Sequence, residues 1–263
     1  MEPEANWDIP KTSAIYPELK GKTALVTGAG KGIGKDCVRE LAAQGCNVIA
    51  VSRTQSDLDE LVSLYGSGDS GSKITTKSLD ISDWDKSEEW FKTIPPIHFL
   101  VNNAGVVQPK KILEITKESL ESVMNINFNA QFHFAQLAAR NMIKNENKGV
   151  IINMSSVASR KALTQSATYC CSKAALNMLT QCLVIELEPH GIRSVCVCPG
   201  FVWTGMLRNA PHSAQYIKAF QNQNPQCRIG NVEDVSRVVS FMLSDNACMI
   251  TGSTTLLDSG LFS

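Results

Sequence analysis

Two hydrophobic patterns alternate along this chain. Short runs that read as strands, several of them nearly continuous apolar stretches, stand at Thr23–Thr27, Asn47–Ser52, Ile74–Leu79, His98–Val101, Val150–Met154, Arg193–Cys198 and Ser253–Leu257. Runs of this length closed by turn residues predict strands, and Thr23–Thr27, which ends in a Gly-rich turn, reads as a buried one. Between them, residues 34–44, 56–65, 84–93, 118–145, 167–187 and 232–243 carry helix signals; 118–145 reads as one long helix or more than one segment. Strands separated by helices, each crossover long enough for a βαβ unit, predict one α/β fold: a doubly wound, seven-stranded parallel sheet with helices on both faces. Residues 66–72 form a Gly/Ser tract expected as a surface loop, and 200–230, with Pro211 and Pro225, read as irregular. Residues 1–20 show neither period and are expected to be an N-terminal arm, disordered or lying on the surface, with Trp7 and Tyr16 as candidate anchors. Residues 21–263 then form a single domain.

Composition narrows the function classes. Of 263 residues, 43% are hydrophobic and 19% charged, with 25 Lys+Arg against 25 Asp+Glu. That balance gives no reason to expect a nucleic-acid or membrane-surface partner. No apolar run reaches the roughly 18 residues of a membrane span, and the acidic start Met1–Glu4 does not read as a secretory signal. The end, Leu261–Ser263, does not match the peroxisomal Ser-Lys-Leu address. Nine cysteines without a Cys-x-x-Cys pair predict reduced, buried thiols in a cytoplasmic protein and no zinc site. His98, His133, His190 and His212 show neither metal-ligand nor triad spacing, so no metal is expected. The adjacent Cys170 and Cys171 are read as helix packing.

Candidate chemistry sits at three places. Tyr169 and Lys173 lie four residues apart where helix is expected, so phenol and ammonium share a face. A cation there favours phenolate and is expected to lower the Tyr pKa toward neutrality, making it a usable proton donor. The first strand runs into Thr27-Gly28-Ala29-Gly30-Lys31-Gly32-Ile33-Gly34, where backbone can approach a pyrophosphate at a helix N-terminus. The spacing is T-G-x-x-x-G-x-G, since the G-x-G-x-x-G pattern would need Gly at Ile33. Where a dinucleotide domain that takes NAD carries an acid for the ribose 2′-hydroxyl, this chain has Ser52-Arg53-Thr54. Arg53 offers forked donors to a 2′-phosphate and Lys31 adds a second charge, which predicts NADP over NAD. Asp57 and Asp59 are expected to serve the first turn of the next helix.

These motifs together resemble the short-chain dehydrogenase/reductase family, over residues 21 to about 260. The resemblance is carried by Thr27-Gly28-x-x-x-Gly32-x-Gly34, Asn102-Asn103-Ala104-Gly105, Asn127, Ser155-Ser156, Tyr169-x-x-x-Lys173 and Pro199-Gly200. It implies a Rossmann-type fold with these roles. Tyr169 is the general acid, Ser156 bonds the same carbonyl oxygen, Lys173 tunes Tyr169 and holds the nicotinamide ribose, and Asn127 supports a water-borne proton relay to Lys173. Gly28, Lys31, Gly32, Ile33 and Gly34 would hold the phosphates, and Arg53 and Thr54 the 2′-phosphate of NADPH. Asp80 is implied near adenine, Asn103, Ala104 and Gly105 near its ribose, and Pro199, Gly200, Val202 and Thr204 around the carboxamide. Within the family, residues 26–34, 50–58, Tyr169-Cys170 and 251–254 resemble the L-xylulose/dicarbonyl reductase branch. That implies a homotetramer reducing a small ketone, α-dicarbonyl or ketose. The expected substrate pocket is Ser156, Val157, Leu163, Ser166, Tyr169, Trp203 and Met206, apolar enough to suit a more apolar or steroid-like ketone as well. A non-catalytic nucleotide sensor and another Rossmann-type enzyme, such as a methyltransferase, are the alternatives; neither accounts for Ser156, Tyr169 and Lys173 in register.

Overall fold

A computed structural model of the chain describes residues 13–66, 71–209, 213–223 and 225–261. Trp7, most of the Gly/Ser tract, Pro211 and His212 lie outside the described residues. The strands are β1 (Thr23–Thr27), β2 (Asn47–Ser52), β3 (Ile74–Ser78), β4 (Phe99–Asn102), β5 (Val150–Met154), β6 (Arg193–Pro199) and β7 (Thr254–Leu257). They form one sheet in the order β3-β2-β1-β4-β5-β6-β7, and every adjacent pair is parallel. The order reverses direction at β1, so a crevice opens at the carboxyl ends of β1 and β4, where α/β sheets of this kind place their ligands.

Strand period 2 sorts the core into two layers. Ala24, Val26, Val48 and Ala50 face α1 (Gly32–Ala43) and α9 (Val232–Leu243), burying Val38, Leu41, Val235 and Val239. Leu25, Ile49, Val51 and Leu100 face the other way, onto Phe91 of α3 (Trp84–Phe91) and Phe134, Ala138 and Met142 of α5 (Ala130–Lys144). α2 spans Gln55–Tyr65, α4 Lys117–Met124 and α6 Ala167–Leu187. Thr54 occupies the N-cap position of α2 without a side-chain capping bond.

Three expectations change. The predicted helix 118–145 is α4 and α5 joined by a π-helical turn at Asn125–Asn129, which inserts extra residues without breaking the run. Residues 200–230 are not irregular throughout: α7 (Gly205–Arg208) and α8 (Ser213–Gln223) lie there. Pro211 and Pro225 flank α8, and Ile217 and Phe220 share its packed face, so the prolines mark its limits rather than its absence. The arm from Ser13 onward is docked. Leu19 is fully buried, Tyr16 packs on Phe241, its N–H donates to Gln44 Oε1 at 2.9 Å, and Ser13 Oγ donates to Glu40 at 2.8 Å.

No helix among the described residues is long and apolar enough to cross a membrane, and no group of three His, Cys, Asp or Glu there is placed to hold a metal. All nine cysteines are free, but Cys171, Cys182, Cys227 and Cys248 are exposed, so the expectation of buried thiols holds for only part of the set. His98 Nδ1 accepts the Thr23 N–H at 3.1 Å, and His133 is buried and stacks on Trp84.

Candidate active site

The Gly-rich turn is clamped to the end of β4. Thr27 Oγ1 accepts the N–H groups of Asn103 and Ala104 at 3.0 and 3.1 Å, and Asn103 Nδ2 donates to the Thr27 carbonyl at 3.0 Å. Asn103 is therefore a strut between two loops. Gly28 has φ +65°, and a Cβ on it would sit 2.8 Å from Ala104 Cα. A Cβ on Gly34 would sit 2.2 Å from the Gly28 carbonyl oxygen, which forbids any side chain where α1 begins. Thr204 reaches the same turn, its Cγ2 3.3 Å from where Gly32 would carry a Cβ. Ile33 turns away and packs into the core layer under α1.

A cleft of about 280 Å³ opens beside this turn, bordered by Gly28, Lys31, Arg53, Thr54, Ala104 and Gly105. Its electrostatics correct one expectation. Asp57 lies in the first turn of α2, but its carboxylate also pairs with Lys31 at 3.3 Å. The same side chain keeps residue 30 small, because a Cβ on Gly30 would sit 2.8 Å from Asp57 Cβ. Arg53 in turn stands 4.0 Å from Asp80. The mouth thus holds two cations and two acids rather than two unopposed cations. Both Lys31 and Arg53 are more than half exposed, so these pairs contribute at most about 1 kcal/mol and leave either cation free to turn to a better anion. Asp80 also closes a turn, with its Oδ1 accepting Ser82 N–H at 3.0 Å and Ser82 Oγ at 2.7 Å. Gly30, Asp57, Val106 and Ile126 line the cleft without being expected there from the sequence. Gly30 is legible as part of the Gly-rich run; the others depend on how loops pack.

At the other end of the cleft four elements converge. Met154 ends β5, and Ser156 follows it in extended conformation, capping a 3-10 turn at Val157–Ser159 with its Oγ accepting the Ala158 N–H at 3.1 Å. α6 is fastened to this strand end twice: Ser155 Oγ donates to the Lys173 carbonyl at 2.9 Å, and Lys173 Nζ donates to the Met154 carbonyl at 2.8 Å. One turn earlier on α6, the Tyr169 ring lies with its centroid 5.7 Å from Lys173 Nζ. The π turn aims Asn127, fully buried, at the loop after β4. Its Oδ1 accepts the Val106 N–H at 2.8 Å, and its Nδ2 donates to the Val106 carbonyl at 2.9 Å and Ser172 Oγ at 3.1 Å. A Cβ on Gly105 would lie 3.4 Å from both Asn127 Oδ1 and Lys173 Nζ. Ser156, Tyr169, Lys173 and Asn127, far apart in sequence, are brought to one place.

The titration of the pair departs from the sequence expectation. Burial pushes the Tyr169 phenol above its ordinary value, and the hydrogen bond with Ser156 draws it part of the way back. Lys173 does not supply the lowering: it is buried, its own pKa is brought down to about 8 by desolvation, and its ammonium is engaged with the Met154 carbonyl. Beneath them, Cys196 and Cys198 lie fully buried with their sulfurs 3.9 Å apart, and the hydrogen bond with Cys198, together with burial, pushes the Cys196 thiol up.

The remaining expected residues divide. Pro199 ends β6, Gly200 N–H donates to the Leu257 carbonyl at 2.8 Å, and Val202 pairs with Gly230 in an isolated parallel bridge. Thr204 occupies the N-cap position of α7, without a side-chain capping bond, beside the Gly-rich turn. Val157 is buried in its turn, Leu163 and Ser166 are half-buried, and Met206 is exposed on α7. Trp203 packs with Leu207, Phe220 and Ile229, with the Arg208 guanidinium 5.6 Å over its ring.

The short chain dehydrogenase family model matches residues 22–215. L-xylulose reductase of Bos taurus is 41% identical over 242 residues, covering 92% of this chain and 97% of that protein. Carbonyl reductase [NADPH] 2 of Sus scrofa is 37% identical over 242 residues, with 92% and 97% covered. The solved structure of a short-chain type dehydrogenase/reductase from Mycobacterium marinum superposes with a TM-score of 0.86 at 29% identity, covering 93% of this chain and 96% of that one. The chain therefore belongs to the short-chain dehydrogenase/reductase family and is an oxidoreductase acting on CH–OH and carbonyl groups.

Proposed function

We propose that this protein is an NADPH-dependent reductase of a small ketone, α-dicarbonyl or ketose such as L-xylulose. The observation that carries it is the approach of Asn127 and Lys173 to Gly105, which lines a cleft whose mouth holds Arg53 and Lys31, with the Tyr169 ring 5.7 Å from Lys173 Nζ and Ser156 hydrogen-bonded to the phenol. A nicotinamide dinucleotide fits the residues present. The backbone at Gly28 and Gly34 leaves no space for side chains, N–H groups open α1, and Asn103, Ala104 and Gly105 line the floor. Arg53, Lys31 and Thr54 would hold a 2′-phosphate, Asp80 the adenine end, and Pro199, Gly200, Val202 and Thr204 the carboxamide end. The bound cofactor supplies the hydride.

The chain's own residues supply the rest. Ser156 uses one lone pair for the Ala158 N–H, and its hydroxyl proton, which meets the Tyr169 phenol in the unliganded site, can turn to the carbonyl oxygen that Tyr169 protonates. Placing both donors in a buried, preorganised site stabilises the charge that develops on that oxygen. Lys173 keeps a positive charge near the phenol, and Asn127, held rigid by Val106 and Ser172, fixes the inner wall through which Lys173 is resupplied with protons.

The half-buried Leu163 favours a second reading within the class, a more apolar ketone, with Ser166 beside it as the polar group. With the name of the porcine relative in support, the reading includes NADPH rather than NADH. A single catalytic domain over residues 21–263, a cytoplasmic location and a homotetramer belong to the same proposal; the free cysteines support a reducing compartment. NADPH oxidation with diacetyl, xylulose and a panel of aryl ketones tests it. Tight NADPH binding with no turnover of any of these would sink it.

A further inference from the structure

Asn177 follows Tyr169 and Lys173 along one face of α6, one turn beyond the lysine. Its amide faces the back of the turn that carries Ser156. Nδ2 donates to Ser159 Oγ at 2.9 Å, and Ser159 Oγ donates to the Ser156 carbonyl at 2.6 Å. On the other side, Asn177 Oδ1 accepts from Cys196 Sγ at 3.1 Å and, more weakly, from Cys198 Sγ at 3.8 Å.

The direction of this chain of bonds follows from its donors. A thiol offers a proton, so Cys196 at 3.1 Å draws the amide oxygen toward β6 and leaves the NH₂ to point at Ser159. Ser159 accepts that N–H and so turns its own proton onto the Ser156 carbonyl. Ser156 is then held by three bonds within its turn: its carbonyl also accepts the Ser159 N–H at 3.0 Å, and its Oγ accepts the Ala158 N–H at 3.1 Å. The direction in which Ser156 presents its hydroxyl proton is thereby tied, through Ser159 and Asn177, to the helix that carries Tyr169. Polar chains of this kind can hold geometry worth more than the sum of their bonds.

We propose that Asn177 is a positioning residue for the reaction: through Ser159 it holds the Ser156 turn in fixed relation to Tyr169 and Lys173. The inference rests on the reductase reading above. Asn177 touches neither substrate nor cofactor in this role, and it acts through the aim of the Ser156 hydroxyl. A misplacement of about 1 Å in such a group can cost up to about a hundredfold in rate.

Asn177→Asp tests this with almost no change of shape, since it keeps an acceptor for Cys196 but cannot donate to Ser159. Ser159→Ala removes the same link from the other side. In the unliganded protein, backbone amide exchange at Ala158 and Ser159 should quicken at least tenfold in both variants. With NADPH and a small diketone, kcat should fall at least tenfold while the NADPH dissociation constant stays within about twofold. The double variant should be no worse than either single one, because one connection is being cut twice. Unchanged exchange overturns the proposal, as do faster exchange with unchanged kcat and additive losses in the double variant. A wild-type protein that reduces no carbonyl overturns the reductase reading instead; the exchange measurement needs no substrate and still decides whether Asn177 holds the turn.

Discussion

Lys173 should make the unliganded protein less stable at neutral pH than it would be without the charge. The side chain is 3% exposed, and desolvation lowers its pKa from 10.5 to about 8. At about 1.4 kcal/mol for each power of ten, the drop corresponds to about 3 kcal/mol of folding free energy. The sign follows from proton counting. Between the folded value near 8 and the unfolded value of 10.5, the unfolded chain keeps the proton that the folded chain has lost, so stability rises with pH across that window. Below pH 8 the full penalty is present. Lys173→Met removes the charge but also strips the Met154 carbonyl of its donor, at a cost of about 1 kcal/mol. The variant should therefore be more stable than the wild type by about 2 kcal/mol at pH 7. That advantage should shrink as pH rises from 8 and turn into a deficit of about 1 kcal/mol near pH 10.5. Urea unfolding of both proteins without cofactor, at half-unit steps from pH 6.5 to 10.5, reads the difference directly. A difference that does not move with pH, or one that grows as pH rises, refutes the account of a lysine held charged against its desolvation.

Tyr169→Phe should lower kcat by about 10²–10⁴ while NADPH affinity, measured by fluorescence, stays nearly unchanged, because the phenol acts in the transition state. Arg53→Asp should weaken NADPH binding by one to two powers of ten and improve NADH binding, as read by calorimetry; equal loss of both cofactors would count against a 2′-phosphate contact. Gly34→Ala should abolish cofactor binding, since its Cβ would stand 2.2 Å from the Gly28 carbonyl oxygen and the turn must open to admit it.

Much of this is readable in the sequence because it depends on local pattern. The seven predicted runs become seven strands in a parallel sheet; the central strands are buried on both faces and leave a clear apolar signature, whereas the edge strands β3 and β7 are only partly buried. The i, i+4 placement of Tyr169 and Lys173 needs nothing beyond helix geometry. What stays hidden depends on tertiary packing. The π turn that aims Asn127 has no composition signal, because Asn125–Asn129 reads as ordinary helix and is set by the packing of the helices on either side. α8 is masked by its flanking prolines. The docking of Tyr16 and Leu19 depends on Phe241 and Gln44, residues distant in the chain. The pair's titration escapes the sequence for a related reason: spacing reports that two groups are near, whereas the burial that overrides their attraction is a property of the whole fold.

The cleft mouth shows the same limit acting on cofactor choice. In the sequence, Arg53 and Lys31 stand without an opposing acid at the positions that matter. In the fold, Asp57 and Asp80 come within 3.3 and 4.0 Å of them. A dianionic phosphate approaching Arg53 must compete with Asp80, and the competition is lopsided. The existing pair is loose, exposed and screened, worth at most about 1 kcal/mol. A guanidinium can instead meet a phosphate with two parallel charge-assisted bonds of roughly twice the neutral strength. On the NADPH reading proposed above, the acids would lower the preference for a 2′-phosphate without reversing it. They also keep two cations from repelling each other when the cleft is empty. Asp80 thereby serves the unliganded mouth as well as the turn it closes with Ser82.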